Sequence, residues 1–149
     1  HAKSIAIAAD AAHMAMPFSS ADPRLHTMLQ MVARDLQLGA DRTPFESAVR
    51  ARLRDLLMQK RTDACSVARA MGVSERTLGR RLAETGTTFR DVLDRFRAEQ
   101  SERLLLDGAL SLAEIADALG YNDQSAWTKA FRRWRGQTPA TWLKDALEA

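Results

Sequence analysis

The strongest constraint on this chain is that it repeats itself. Val67-Ala68-Arg69-Ala70-Met71-Gly72 returns as Ile115-Ala116-Asp117-Ala118-Leu119-Gly120, displaced by 48 residues (116 minus 68). Each copy places a small side chain, Ala68 or Ala116, where two steeply crossing helices leave no room for a larger one. Four residues later each places a glycine, Gly72 or Gly120, which tolerates the left-handed backbone of a tight turn. Apolar residues flank both turns: Val67, Met71, Val73 and Leu78 in the first, and Ile115, Leu119, Tyr121, Ala126 and Trp127 in the second. The pattern predicts two helix-turn-helix units, one from Ala68 to Leu82 and one from Ala116 to Phe131.

Helix-start signals fill in the remainder. Asp63, Ser74, Thr88, Ser111 and Thr138 stand where N-caps belong, and Ser111 with Glu114 forms a capping box. From Thr88 to Leu106, Phe89, Val92, Leu93, Phe96, Leu104 and Leu105 recur at largely helical spacing until Asp107-Gly108, predicting one long helix between the two motifs. Further upstream, Asp22-Pro23 opens a helix with Leu25, Met28, Leu29, Val32 and Leu36 on one face and Gly39 at its end. Thr43, Pro44 and Glu46 read as a second capping box ahead of Val49, Leu53, Leu56 and Leu57. These two segments are expected to form a helical hairpin, with Arg50, Arg52 and Arg54 on its solvated outer face.

The expected fold class is all-α, with no strand: two helix-turn-helix subdomains joined by a long linker helix and preceded by the hairpin. A chain of 149 residues accommodates two small subdomains and no more. The expected organisation is a linker or tail of an upstream domain over 1–21, a hairpin connector over 22–60 and the tandem unit over 61–149. Within the last, the first motif covers 61–87, the linker helix 88–108 and the second motif 109–149.

Net charge is only +3, so the distribution of charge is what speaks to partners. Glu75 to Arg81 holds three arginines against one glutamate, and Gln124 to Arg135 holds one lysine and three arginines with no acid. Basic helices after each turn suit double-stranded DNA, where neutralised phosphates supply affinity and base edges supply specificity. The linker helix would span roughly 28 Å at 1.5 Å per residue, close to the ~34 Å between successive major grooves on one DNA face. The competing reading is a helical protein-interaction module that does not bind DNA, whose mark would be basic residues dispersed around the fold.

Other classes find little support. Cys65 stands alone, which excludes an internal disulfide and any zinc cluster, and it reads as a small buried filler. Neither it nor His13 or His26 enters a recognisable catalytic constellation, so no enzyme, metal or cofactor is expected. No apolar run reaches the roughly 18 to 20 residues of a membrane span. The stretch from Ile5 to Met16 is broken by Asp10 and His13 and lacks the basic lead of a signal peptide, and the single cysteine suits a reducing cytoplasm, the expected location.

Residues from about Asp63 to Leu143 resemble the AraC/XylS family of bacterial transcription regulators. The resemblance is carried by Ser111-Leu112-Ala113-Glu114-Ile115-Ala116, then Gly120-Tyr121, Phe131-Arg132-Arg133-Trp134 and Gly136-Gln137-Thr138-Pro139. Ser20-Ala21-Asp22-Pro23 and the following helices resemble the family's connector to an effector domain. The resemblance implies base contacts from Arg76, Gly79 and Arg80, with Thr77 beside them, and from Gln124, Ser125, Thr128 and Lys129. Arg81, Arg132, Arg133 and Arg135 fall to phosphates or the rim, while Trp127, Phe131, Trp134 and Trp142 fall to the core. It further implies activation by contact with RNA polymerase, and a small-molecule effector acting only through an N-terminal domain outside this chain. Two departures stand out: Gly79 offers a base no side chain, and Trp142-Leu143 replaces the more usual aromatic-arginine pair.

Overall fold

A computed structural model describes residues 23–40 and 43–148, and all regular elements among them are helices. They are α1 (Pro23–Ala40), α2 (Pro44–Leu57), α3 (Ala64–Ala70), α4 (Glu75–Ala83), α5 (Phe89–Asp107), α6 (Leu112–Ala118), α7 (Gln124–Arg135) and α8 (Pro139–Glu148). The all-α expectation holds. The proposed linker over 1–21 and the cap at Asp22 lie outside the described residues.

Two cores organise the helices. In the first, Val49 and Leu53 of α2, Val67 and Ala68 of α3, Leu78 and Leu82 of α4, and Val92 and Phe96 of α5 are buried together. In the second, Leu105 of α5 packs with Ile115, Ala116, Leu119, Trp127 and Phe131. The linker helix therefore serves both, but with different sides. At about 100° per residue, Leu105 lies about 140° round the helix from Val92 and about 180° from Phe96. This explains why the linker's apolar residues fit no single stripe.

Local sequence dictates where each helix starts. Asp63, Ser74, Thr88 and Ser111 accept from the backbone N–H three residues on, as expected, and Thr138 accepts from Thr141 in the same way. Ser111 and Glu114 close a reciprocal capping box, and so do Thr88 and Asp91, where the shorter aspartate takes the place of the usual glutamate. Thr43 and Glu46 complete only half of theirs. Thr43 Oγ1 accepts from the Glu46 N–H at 3.2 Å, whereas the Glu46 carboxylate turns inward and meets Arg95 of α5 at 3.6 Å. A glutamate that can reach a cation on a packed neighbour does not fold back onto its own cap.

Several expectations for the first three helices are corrected. Among the described residues α1 packs on α8 and α5, while α2 packs on α3, α4 and α5. Thr27 fixes the first of these contacts by donating to the Ala146 carbonyl at 2.8 Å. In this placement Leu25, Leu29 and Val32 face solvent and do not form a core stripe. Gly39 does not end α1, which runs to Ala40. Arg50 is not on a solvated face: it is buried, ion-paired with Glu99 of α5 and set against the Phe96 ring, while Arg52 and Arg54 are exposed as expected. Cys65 is also exposed, because the residues of α3 that turn inward are Ser66, Val67 and Ala68.

The caps carry a pH signature. Bonds from the Ser111 side chain and backbone hold the Glu114 carboxyl below its ordinary value of 4.5, and equivalent bonds from Thr88 lower Asp91. A lowered folded-state pKa contributes stability above the unfolded value and loses it as pH falls through the folded one. Ser111→Ala should cost about 1 kcal/mol in urea melts at pH 7. The gap to the parent should narrow as pH falls below the ordinary carboxyl value of 4.5, as Glu114 takes up its proton. A gap independent of pH would show that the carboxylate has no part in the cap.

Candidate nucleic-acid interface

The two turns are built from the same bonds. In the first, Val73 N–H donates to the Ala68 carbonyl at 3.0 Å and Gly72 N–H to Arg69 at 3.1 Å. In the second, Tyr121 N–H donates to Ala116 at 2.9 Å and Gly120 N–H to Asp117 at 3.0 Å. This pairing satisfies the last carbonyls of α3 and α6, and it needs the left-handed backbone that Gly72 and Gly120 adopt, with φ of 68° and 78°.

One residue after the turn, the register slips from 48 to 49. The cap of α4 is Ser74 and that of α7 is Asp123, which accepts from the Ala126 N–H at 2.7 Å. The buried residues that follow correspond at the new offset: Leu78 with Trp127 and Leu82 with Phe131. Trp127, not Ala126, is the second copy's counterpart of Leu78. The same offset aligns the outer faces, Arg76 with Ser125, Gly79 with Thr128 and Arg80 with Lys129.

At about 100° per residue, Arg76, Thr77 and Arg80 occupy the side of α4 turned away from Leu78 and Leu82. Ser125, Thr128, Lys129 and Arg132 likewise share the side of α7 away from Trp127, Ala130 and Phe131, whereas Gln124, the first residue of the helix, lies close to the phase of Phe131 and is exposed by its place at the helix end. Thr77 and Thr128 are half-buried, and the other residues of these two sets are exposed. The rim arginines divide. Arg81 lies over the Phe45 ring at 5.3 Å, which ties it to α2. Arg133 meets Asp94 of α5 at 3.0 Å, and Arg135 pairs with the buried Glu102. Arg80 has only a loose exposed pair with Glu84 at 4.0 Å, of little energetic weight.

Three residues that hold α7 in place were not singled out in the sequence: Asp94, Ser101 and Glu102. The Trp127 indole N–H donates to Ser101 Oγ at 3.0 Å, and that hydroxyl donates onward to the Arg97 carbonyl at 2.7 Å. A serine and a glutamate in a charged helix look solvated, and only their position on the side facing α7 marks them. Aromatic packing completes the support, with Trp127 and Trp142 edge-on to Phe131 at 5.9 and 6.0 Å and Tyr121 edge-on to Trp134. Leu143, which stands where the family more usually has an arginine, packs against this core. Burial pushes the Tyr121 hydroxyl above its ordinary value, with Arg97 opposing, so it stays neutral.

This arrangement defines a class: a tandem helix-turn-helix reader with two basic recognition helices on one linker. A helix-turn-helix domain family matches residues 67–145. The chain is similar to VirS of Mycobacterium tuberculosis, an HTH-type transcriptional regulator, with 36% identity over 123 residues covering 83% of this chain and 36% of VirS. It is similar to the ornithine utilization regulator of Pseudomonas aeruginosa, with 32% identity over 131 residues covering 86% of this chain and 38% of that protein. The DNA-binding domain of AdpA, a global transcriptional factor solved in complex with a target DNA, has a similar fold. Its TM-score is 0.56 at 27% identity, covering 70% of this chain and 93% of that one. The chain belongs to the AraC-type helix-turn-helix family of transcription regulators. It spans between 22% and 38% of the length of the curated relatives it matches.

Gly79 can be tested as a local cost in α4. A Cβ added there meets nothing within 4 Å, and the helical backbone gains from losing glycine's freedom. Gly79→Ala should stabilise the protein by about 0.5–1 kcal/mol in urea unfolding. A loss of stability would reveal packing at this position.

Proposed function

We propose that this chain reads two successive major-groove segments on one face of double-stranded DNA, α4 entering one and α7 the other. The observation that carries this reading is the matched geometry of the two turns and outer faces, set on a 19-residue linker helix that extends roughly 28 Å. Arg76 and Arg80 are assigned to guanine, which an arginine can grip with two bonds, and Gln124 to adenine. Ser125, Thr128, Lys129 and Thr77 complete the base-facing set, while Arg81, Arg132 and Arg133 serve phosphates. Arg133 would exchange Asp94 for a phosphate, since its side chain is 55% exposed.

The reader proper is assigned to residues 61–149, with α1 and α2 as connector helices that buttress it. Effector sensing and contact with RNA polymerase are assigned to the longer protein that the relatives' lengths imply, acting in the bacterial cytoplasm. The chain works by binding, with no reaction assigned to it. None of its described helices is long and apolar enough to cross a membrane.

Selection from a random DNA pool tests the reading. Two half-motifs about 10 base pairs apart should emerge, and absence of any enriched sequence would overturn it. On the selected site, Arg80→Ala and Lys129→Ala should each cost about 1–3 kcal/mol and relax preference at one position. Arg132→Ala should weaken all sequences alike and lower the salt slope by about one. Equal losses on selected and random DNA would move Arg80 or Lys129 to the phosphate set.

A further inference from the structure

The two cores are joined by more than the shared linker helix. Arg97 sits at the middle of α5 and touches both motifs at once. Its guanidinium donates to Thr62 Oγ1 at 3.0 Å, in the segment that leads into α3, and lies over the Tyr121 ring at 4.9 Å, in the turn between α6 and α7. Thr62 is buried, and Tyr121 is half-buried against the second core. Two contacts run alongside. Lys60, in a left-handed backbone conformation with φ of 55°, reaches Asp117 of α6 at 2.5 Å. Leu57 packs against both cores. The segment from Leu57 to Thr62 thus leans from the first motif onto the second, and Arg97 is wedged behind it.

We infer that Arg97, with Leu57, Lys60 and Thr62, forms a brace that fixes the angle and distance between the two recognition helices, making Arg97 a positioning residue for half-site spacing. The inference rests on the two-reader function proposed above. A planar guanidinium suits the task, since it can donate in its plane and stack on a ring with its face. Of the brace, Lys60 and Asp117 are both exposed, so their ion pair adds little alone. The guanidinium, held between a buried hydroxyl and a half-buried ring, carries the coupling.

The consequence is a matter of effective concentration. When two linked modules are held in register, binding of the first presents the second to its site. When they are not, that advantage falls. A rigid pair should punish DNA in which the half-motifs are moved apart, because each added base pair also turns the second site about 34° around the axis at ~10.5 base pairs per turn. A loosened pair should forgive it.

The experiment has two arms, both on the full chain. In the first, affinity is measured on the selected site and on versions with one or two base pairs inserted between the half-motifs. The parent should lose roughly tenfold or more on the two-base-pair insertion, and Arg97→Met should lose roughly threefold or less while binding the original site more weakly. Arg97→Lys, which keeps a cation over the ring, should recover part of the discrimination. An Arg97→Met profile identical in shape to the parent's overturns the inference. Should Arg97→Met fail to fold, Thr62→Val and Lys60→Ala are compared in the same way, and two parental profiles overturn it.

The second arm needs no DNA. In a Cys65→Ser background, spin labels at Glu84→Cys and Ala140→Cys report the distance between the two subdomains. The parent should give one narrow distribution and Arg97→Met a broad one; equally narrow distributions overturn the brace. If the parent shows no paired half-motifs but the distributions differ, the two-groove reading fails and the brace stands.

Discussion

Everything in this molecule hangs on α5 being buried by two cores at once. Its N-terminal half supplies Val92 and Phe96 to one and its C-terminal half supplies Leu105 to the other. A helix is stiff over this length, so neither motif can reorient without disturbing apolar contacts on α5. Each recognition helix packs directly on that rod. α4 is pinned through Leu78 and Leu82, and α7 through Trp127, whose indole bond to Ser101 fixes its rotation as well as its depth. A buried donor left unpaired is costly, so that single bond specifies how α7 is turned.

Charge follows the same division. The acids of α5 are not scattered decoration: Asp94, Glu99 and Glu102 take up Arg133, Arg50 and Arg135. That leaves Arg76, Lys129 and Arg132 with no carboxylate partner among the described residues. A net charge of +3 therefore understates the local positive charge of the outer faces, because acids that enter the sum are held on α5 in pairs with other arginines and not beside these side chains. The two motifs contribute unequally. Arg76 and Arg80 give α4 two long donors separated by an open glycine, whereas α7 presents a continuous row of shorter polar groups ending in cations.

The fold was legible where local physics alone decides it. Capping residues, turn glycines and the apolar residues of the repeat are near-neighbour effects, and they located the helices of both motifs and the linker. What escaped was decided by tertiary contact. Arg50 looked solvated because nothing near it in sequence announces Glu99, which lies 49 residues on. Glu46 abandoned its cap for Arg95 for the same reason. The packing of the upstream helices, α1 on α8 and α2 on α3, was equally out of reach, because an amphipathic stripe does not name the surface it will cover. Cys65 was misplaced by treating proximity to buried positions as burial, although its neighbours Ser66 and Val67 point the other way.

The outward sides of α4 and α7 were more legible than their supports, for a physical reason. Residues that face a ligand are set by the phase of their own helix, and a helix's phase can be read from its buried positions. The shift in offset from 48 to 49 shows how tightly that logic binds. One extra residue in the second turn would rotate every outward side chain of α7 by about 100° if the core positions kept their old offset. Instead Trp127 and Phe131 move with the cap at Asp123, so the inward side keeps its phase and the outward set, Ser125, Thr128 and Lys129, stays aligned with Arg76, Gly79 and Arg80. Keeping the core in phase therefore keeps the two outward sides aligned, and the extra residue is absorbed in the turn, where only the approach to the helix changes.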